Sequence, residues 1–115
     1  MATSIEIQRK NPFSATITFK EDGVAFNLTG VTVIFTVKLL NDKADNDDAA
    51  IIKKTITDHS DPANGTTTLS LSADDTTVNL GRYKADFRLY QSGVLQKNTE
   101  TFYIEFVDIV TKGTS

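Results

Sequence analysis

Apolar and polar residues alternate over most of this chain. In LGRYKADFRLY, residues 80–90, Tyr83, Ala85, Phe87 and Leu89 fall on one side, and Arg82, Lys84, Asp86, Arg88 and Tyr90 on the other. A period of two marks a strand with one buried face. The pattern recurs in SIEIQ, with Ile5 and Ile7 together, and in FSATITFK, with Phe13, Ala15, Ile17 and Phe19 against Ser14, Thr16, Thr18 and Lys20. It recurs again in VTVIFTVKL, which groups Val31, Val33, Phe35, Val37 and Leu39, in TTTLSLS, and in the closing TFYIEFVDIV with Phe102, Ile104 and Phe106. Threonine and valine suit such strands, because β-branched side chains pack on a pleated surface at little rotamer cost. No segment sustains apolar residues at helical spacing.

Turn signals separate these runs. Glu21-Asp22-Gly23, Gly30, Pro62 with Asn64-Gly65, and Ser92-Gly93 fall at the intervals a sandwich needs. IIKKTI reads as a further strand of ambiguous register. SADD, Ser72 to Asp75, has the spacing of a capping box with Asp in place of the usual Glu, enough for one helical turn before Leu80. Thr76, Thr77 and Val78 are weak helix formers, so the turn does not extend. These elements predict an all-β fold, an immunoglobulin-like antiparallel β-sandwich of seven to eight strands. The predicted core is Phe13, Ile17, Phe19, Val33, Phe35, Val37, Leu69, Leu71, Tyr83, Ala85, Phe87, Leu89, Phe102 and Ile104.

In sandwiches of that kind a tyrosine near the start of the penultimate strand folds its hydroxyl back onto the backbone just upstream, two residues before a cysteine position. DDTTVNLGRYKA supplies the acidic turn, Gly81, Tyr83, and Ala85 at the cysteine position. Gly81 and Tyr83 are therefore expected to form a structural corner rather than a ligand site.

Composition narrows the functional classes. The 115 residues are read as one domain, 1–115, large enough to bury a core without disulfides or metals. With no cysteine, a disulfide scaffold, a zinc ribbon and a thiol nucleophile are excluded, and the fold can form in a reducing cytoplasm. A net charge of -3 gives no general attraction to phosphate backbones, so nucleic acid is not an expected partner. No stretch has signal-peptide or membrane-span character, so no membrane is expected either.

The order of elements resembles a family of phage proteins: small immunoglobulin-like domains of tail and baseplate components, such as the N-terminal domain of upper baseplate proteins. Thr36 to Lys38, Asn64-Gly65, Leu71, Ala73 to Thr76, Gly81-Arg82-Tyr83 and Phe102 to Phe106 occupy the places of that pattern. The resemblance implies a non-enzymatic structural component of a phage or prophage virion, made in the host cytoplasm. Its partners would be other virion proteins or further copies of itself. It carries no catalytic residue and no cofactor.

The remaining candidates have simpler readings. Asp42, Asp45, Asn46, Asp47 and Asp48 lie in the 41–49 loop, and Asp45 and Asp47 are the best placed for a divalent ion. The loop lacks the glycine and terminal Glu of a calcium loop, and a solvated acidic loop explains it. His59 sits between Asp58, Ser60 and Asp61, but consecutive turn residues cannot converge as a triad, and an Asp-rich turn with Pro62 accounts for them. Arg82, Lys84 and Arg88 form a basic outer row interrupted by Asp86. Tyr90 and Tyr103 are predicted to point outward from neighbouring strands, and tyrosine is enriched at protein interfaces. The final strand, Thr101 to Val110, is predicted to be an open edge where Tyr103 and Val107 add contacts to its backbone donors. The alternative function is a carbohydrate-binding or adhesion module using Tyr90 and Tyr103; tryptophan, the usual sugar-stacking residue, is absent.

Overall fold

The computed structural model describes residues 4–43, 49–99 and 101–108. They form a β-sandwich of two unequal layers. The strands are β1 (Ser4–Gln8), β2 (Phe13–Thr18), β3 (Lys20–Glu21), β4 (Val24–Ala25), β5 (Val31–Leu39), β6 (Ile52–Ile56), β7 (Thr66–Leu71), β8 (Gly81–Gln91), β9 (Val94–Asn98) and β10 (Phe102–Val107). One turn of 3-10 helix, Pro62–Asn64, precedes β7.

The larger layer has the order β1-β10-β8-β5-β6. β5 runs along residues 83–91 of β8, pairing Val31 with Gln91 and Leu39 with Tyr83. The other side of β8 is shared, with β10 beside residues 81–85 and β9 beside residues 88–91. Between these two pieces Thr99 replaces the missing ladder: its Oγ1 accepts the Phe87 N–H at 2.9 Å, and its N–H donates to the Phe87 carbonyl at 3.0 Å. The smaller layer is β2 against β7, extended by the β3–β4 hairpin.

Alternation sends the same side chains inward as the sequence predicts. Val33, Phe35, Val37, Leu69, Leu71, Tyr83, Ala85, Phe87, Leu89 and Ile104 are buried, as is Phe19, while Phe13, Ile17 and Phe102 are half-buried against them. Phe87 is the hub, with ring centroids 5.1 Å from Phe35, 5.7 Å from Phe102 and 5.4 Å from Phe19 of the opposite layer. The register of β6 is settled by Ile52, which is buried, leaving Ile51 exposed. Leu28 is fully buried although its surroundings carry no alternation.

Two features differ from the sequence expectation. β1 runs parallel to β10, pairing Ser4 with Tyr103 and Gln8 with Val107, so the sandwich is not wholly antiparallel. For the same reason the last strand is not an edge: β10, Phe102–Val107, lies between β1 and β8, and Ile109 and Val110 fall outside the described residues. Its backbone donors are already engaged on both sides.

Turn chemistry fixes the hairpins. Asp22 and Gly23 have φ of 53° and 80°, and Ser92 and Gly93 have 52° and 78°, as a two-residue type I′ loop requires. Gly65 answers a different demand. At φ 71° a Cβ there would sit 2.6 Å from the Phe19 carbonyl oxygen and 2.7 Å from that of Phe26, so only glycine lets the chains cross.

Candidate interaction surface

The outer face of the larger sheet presents the even-numbered residues of β8 and β5 and the odd-numbered residues of β10. Register sets them in rows. Glu105 lies beside Arg82, Tyr103 beside Lys84, and Lys84 beside Lys38. Thr36 lies beside Asp86, and Ile34 beside Arg88. Over this face Thr36, Lys38, Asp42, Lys84, Asp86, Arg88 and Thr101 line a shallow depression of about 200 Å³. Three cations and two carboxylates share it, and the Lys84 ammonium donates to the Asp42 carbonyl. The row is therefore a mixed-charge face, not a basic groove.

Tyr103 is half-buried on this face, with the Arg82 guanidinium carbon 4.7 Å from its ring centroid. That diagonal pair follows from the strand register, since Arg82 is two residues from Lys84, the direct neighbour of Tyr103. Tyr90 lies on the same face, and the Arg88 guanidinium approaches its hydroxyl at 3.4 Å. It is six residues along β8 from Lys84, so about 20 Å separates the two tyrosines along the strand. They do not form one patch. Val107 is half-buried beside Gln8 at the far end of β10.

Tyr83 points the other way, into the core. Its hydroxyl donates to the Asn79 carbonyl four residues upstream at 2.7 Å, and its ring meets Phe106 edge-on with centroids 5.4 Å apart. Gly81 between them takes φ 138°.

His59 turns both ring nitrogens to uncharged partners. Its Nε2 lies 2.6 Å from the Val31 carbonyl and its Nδ1 2.9 Å from the hydroxyl of Thr67, a fully buried residue. A carbonyl only accepts, so Nε2 carries the proton, and in the neutral ring Nδ1 accepts from Thr67. Sequence reasoning placed His59 in a turn and missed this tie, because the partners lie 28 and 8 residues away. The capping box at Ser72–Asp75 forms with both reciprocal bonds, Ser72 N–H to Asp75 Oδ2 at 2.9 Å and Asp75 N–H to Ser72 Oγ at 3.1 Å. Asp75 Oδ2 also lies 2.7 Å from Lys54 Nζ on the opposite layer. The Lys54 ammonium, then the Ser72 amide, hold the Asp75 carboxyl below its ordinary pKa.

Asp45 and Asp47 fall outside the described residues. Among the described residues no group of three His, Asp or Glu side chains could hold a metal ion, and no helix is long and apolar enough to cross a membrane.

The model of the BppU N-terminal domain, the N-terminal domain of the baseplate upper protein, matches residues 4–114. The chain belongs to this family. Among solved structures, the N-terminal domain of phage TP901-1 ORF48 is similar in fold, with a TM-score of 0.61 at 18% sequence identity. That alignment covers 92% of this chain and 84% of the other. No curated protein matches the chain. The family is one of phage baseplate domains.

Proposed function

We propose that this domain is a non-enzymatic structural component of a phage or prophage particle, placed in its baseplate or tail and acting through protein–protein contact. The observation that carries the reading is the family match over residues 4–114. The surface agrees with it in kind. The outer face of the larger sheet is strand-built, of mixed charge, and carries the stacked Arg82 and Tyr103, the residue types enriched at interface centres. A partner seated there would cover the Tyr103 ring without having to order a loop. The partners would be other virion proteins, and the protein would be made in the host cytoplasm before assembly.

The test is to purify the protein and probe it against separated components of the particle, with Tyr103→Asp as control. Specific capture of a virion component by the wild type, lost in a folded Tyr103→Asp variant, is the expected result. Capture of no component, or capture indifferent to that charge, overturns the use of this face.

A further inference from the structure

The smaller layer is two strands wide and faces a sheet five strands wide, so β2 ends in an open edge. The direction of its backbone groups can be read from one bond. Phe19 N–H donates to the Gly65 carbonyl at 2.8 Å, continuing the β2–β7 ladder. In an antiparallel pair the N–H and C=O of a residue point to one side and neighbours to the other. The odd residues of β2 therefore bond to β7, and Ser14, Thr16 and Thr18 aim their backbone groups at the open side. Among the described residues no strand pairs with them.

Other edges carry the features that discourage pairing. β6 bears Lys53 and Lys54, and Lys54 points inward to Asp75. β9 bears Lys97 and a register shift opposite Leu89 and Tyr90, and β1 bears Glu6. The free side of β7 is partly covered by the Asp61–Thr66 bridge and by Ser60 and His59 bonded to Thr68 and Thr67. β2 has none of these: no charged residue occurs from Phe13 to Phe19. Its inward side chains Phe13, Ala15 and Ile17 are only half-buried, whereas Leu71, Leu69 and Thr67 directly opposite are buried.

We propose that this edge pairs with the β2 strand of a second copy, antiparallel about a two-fold axis through Thr16. Faces must match across such a pair, so odd residues meet odd ones. Centring the axis on Ala15 would set Thr18 against the partner's Pro12, which has no N–H. Centring it on Thr16 sets Ser14 against the partner's Thr18 and Thr16 against the partner's Thr16, so every outward donor finds an acceptor. It also sets small Ala15 beside the partner's Ile17. Hydrogen bonding and side-chain size select the same register. The two smaller layers then join as one four-stranded sheet, β7-β2-β2-β7, with the self-complementary geometry of a two-fold interface. This inference is independent of the proposed virion role, since the edge would pair whatever else the domain holds.

The experiment is sedimentation of the purified full chain over a wide concentration range, with cysteine cross-linking to read the register. The chain contains no cysteine of its own. Thr16→Cys should cross-link to its own copy under mild oxidation, because residues facing each other in a hydrogen-bonded pair have Cα atoms about 5.5 Å apart. Ser14→Cys alone should not, but should cross-link when mixed with Thr18→Cys. Thr16→Pro removes a donor from each copy without touching the β7 ladder and should weaken dimerisation by about tenfold or more. Thr16→Val keeps the backbone donor and should dimerise as the wild type does. Far-UV circular dichroism checks that each variant is folded, and the cross-linking result stands if Thr16→Pro is not. A wild type that stays monomeric at every concentration, or cross-linking equal at positions 14 and 16, overturns the proposal.

Discussion

His59 Nε2 lies 2.6 Å from the Val31 carbonyl oxygen and so ties the turn before β7 to the first residue of β5 in the other layer. The ring's second nitrogen satisfies the buried Thr67 hydroxyl. His59→Ala should therefore cost about 2–4 kcal/mol, two net hydrogen bonds plus a hydroxyl left buried without a partner. Thr67→Val removes that hydroxyl, so His59→Ala should cost less in a Thr67→Val background. Denaturant melts of the four proteins measure the coupling. Additive costs would mean that the two side chains do not act as a pair.

Tyr83→Phe removes one buried hydrogen bond, to Asn79, and should cost about 0.5–1.5 kcal/mol with no change in secondary structure. Phe35→Ala removes a buried ring that touches Phe87 and Phe102, and should cost about 3–5 kcal/mol. Equilibrium unfolding separates the two cases. An unchanged midpoint for Tyr83→Phe would mean that the hydroxyl's bond to Asn79 adds nothing to stability and that the corner is not held by it.

The Asp75 carboxyl has its pKa lowered by Lys54 and Ser72, so the folded state binds its proton less readily than the unfolded chain does. Its contribution to stability is complete above the unfolded value of about 3.8 and is lost as pH falls through the lower folded value. Unfolding free energy measured from about pH 5 down to about pH 2.5 should fall less steeply for Asp75→Asn than for the wild type. Identical slopes would show that the Lys54 contact does not persist in solution.

Gly65→Ala and Gly23→Ala both place a side chain at positive φ, a cost of about 1–2 kcal/mol. At Gly23 the added carbon meets nothing within 4 Å, whereas at Gly65 it meets two backbone oxygens. Gly65→Ala should therefore cost at least about 1–3 kcal/mol more, because backbone cannot move aside as a side chain would. Equal thermal shifts for the two variants would place the strain in φ alone.

Alternation sufficed to find β2, β5, β7, β8 and β10, since one face of each packs on the core and the other meets water. It failed at β9. The register shift between Leu89 and Tyr90 breaks the period there, and Val94 and Leu95 are left exposed. Leu28 escaped for a related reason: it is buried in an irregular segment, where its N–H donates to the Pro62 carbonyl and no periodicity applies. Outward orientation of Tyr90 and Tyr103 was legible from the period, but not their separation, because a sequence does not state which residue of β8 stands beside Tyr103.

By itself, then, the sequence determined the regularly alternating strands and their inward faces, the tight turns at Asp22-Gly23 and Ser92-Gly93, and the reach of Tyr83, all of which are set within a few residues by pleat geometry and backbone sterics. Only the tertiary structure decided which strands are neighbours. Parallel pairing of β1 to β10 closed the edge that the final strand was expected to offer, and the two-strand width of the smaller layer opened the one at β2. The physical reason is that strand pairing uses backbone groups common to every residue, so the order of strands in a sheet is chosen by how the whole core packs and leaves little trace in any one strand.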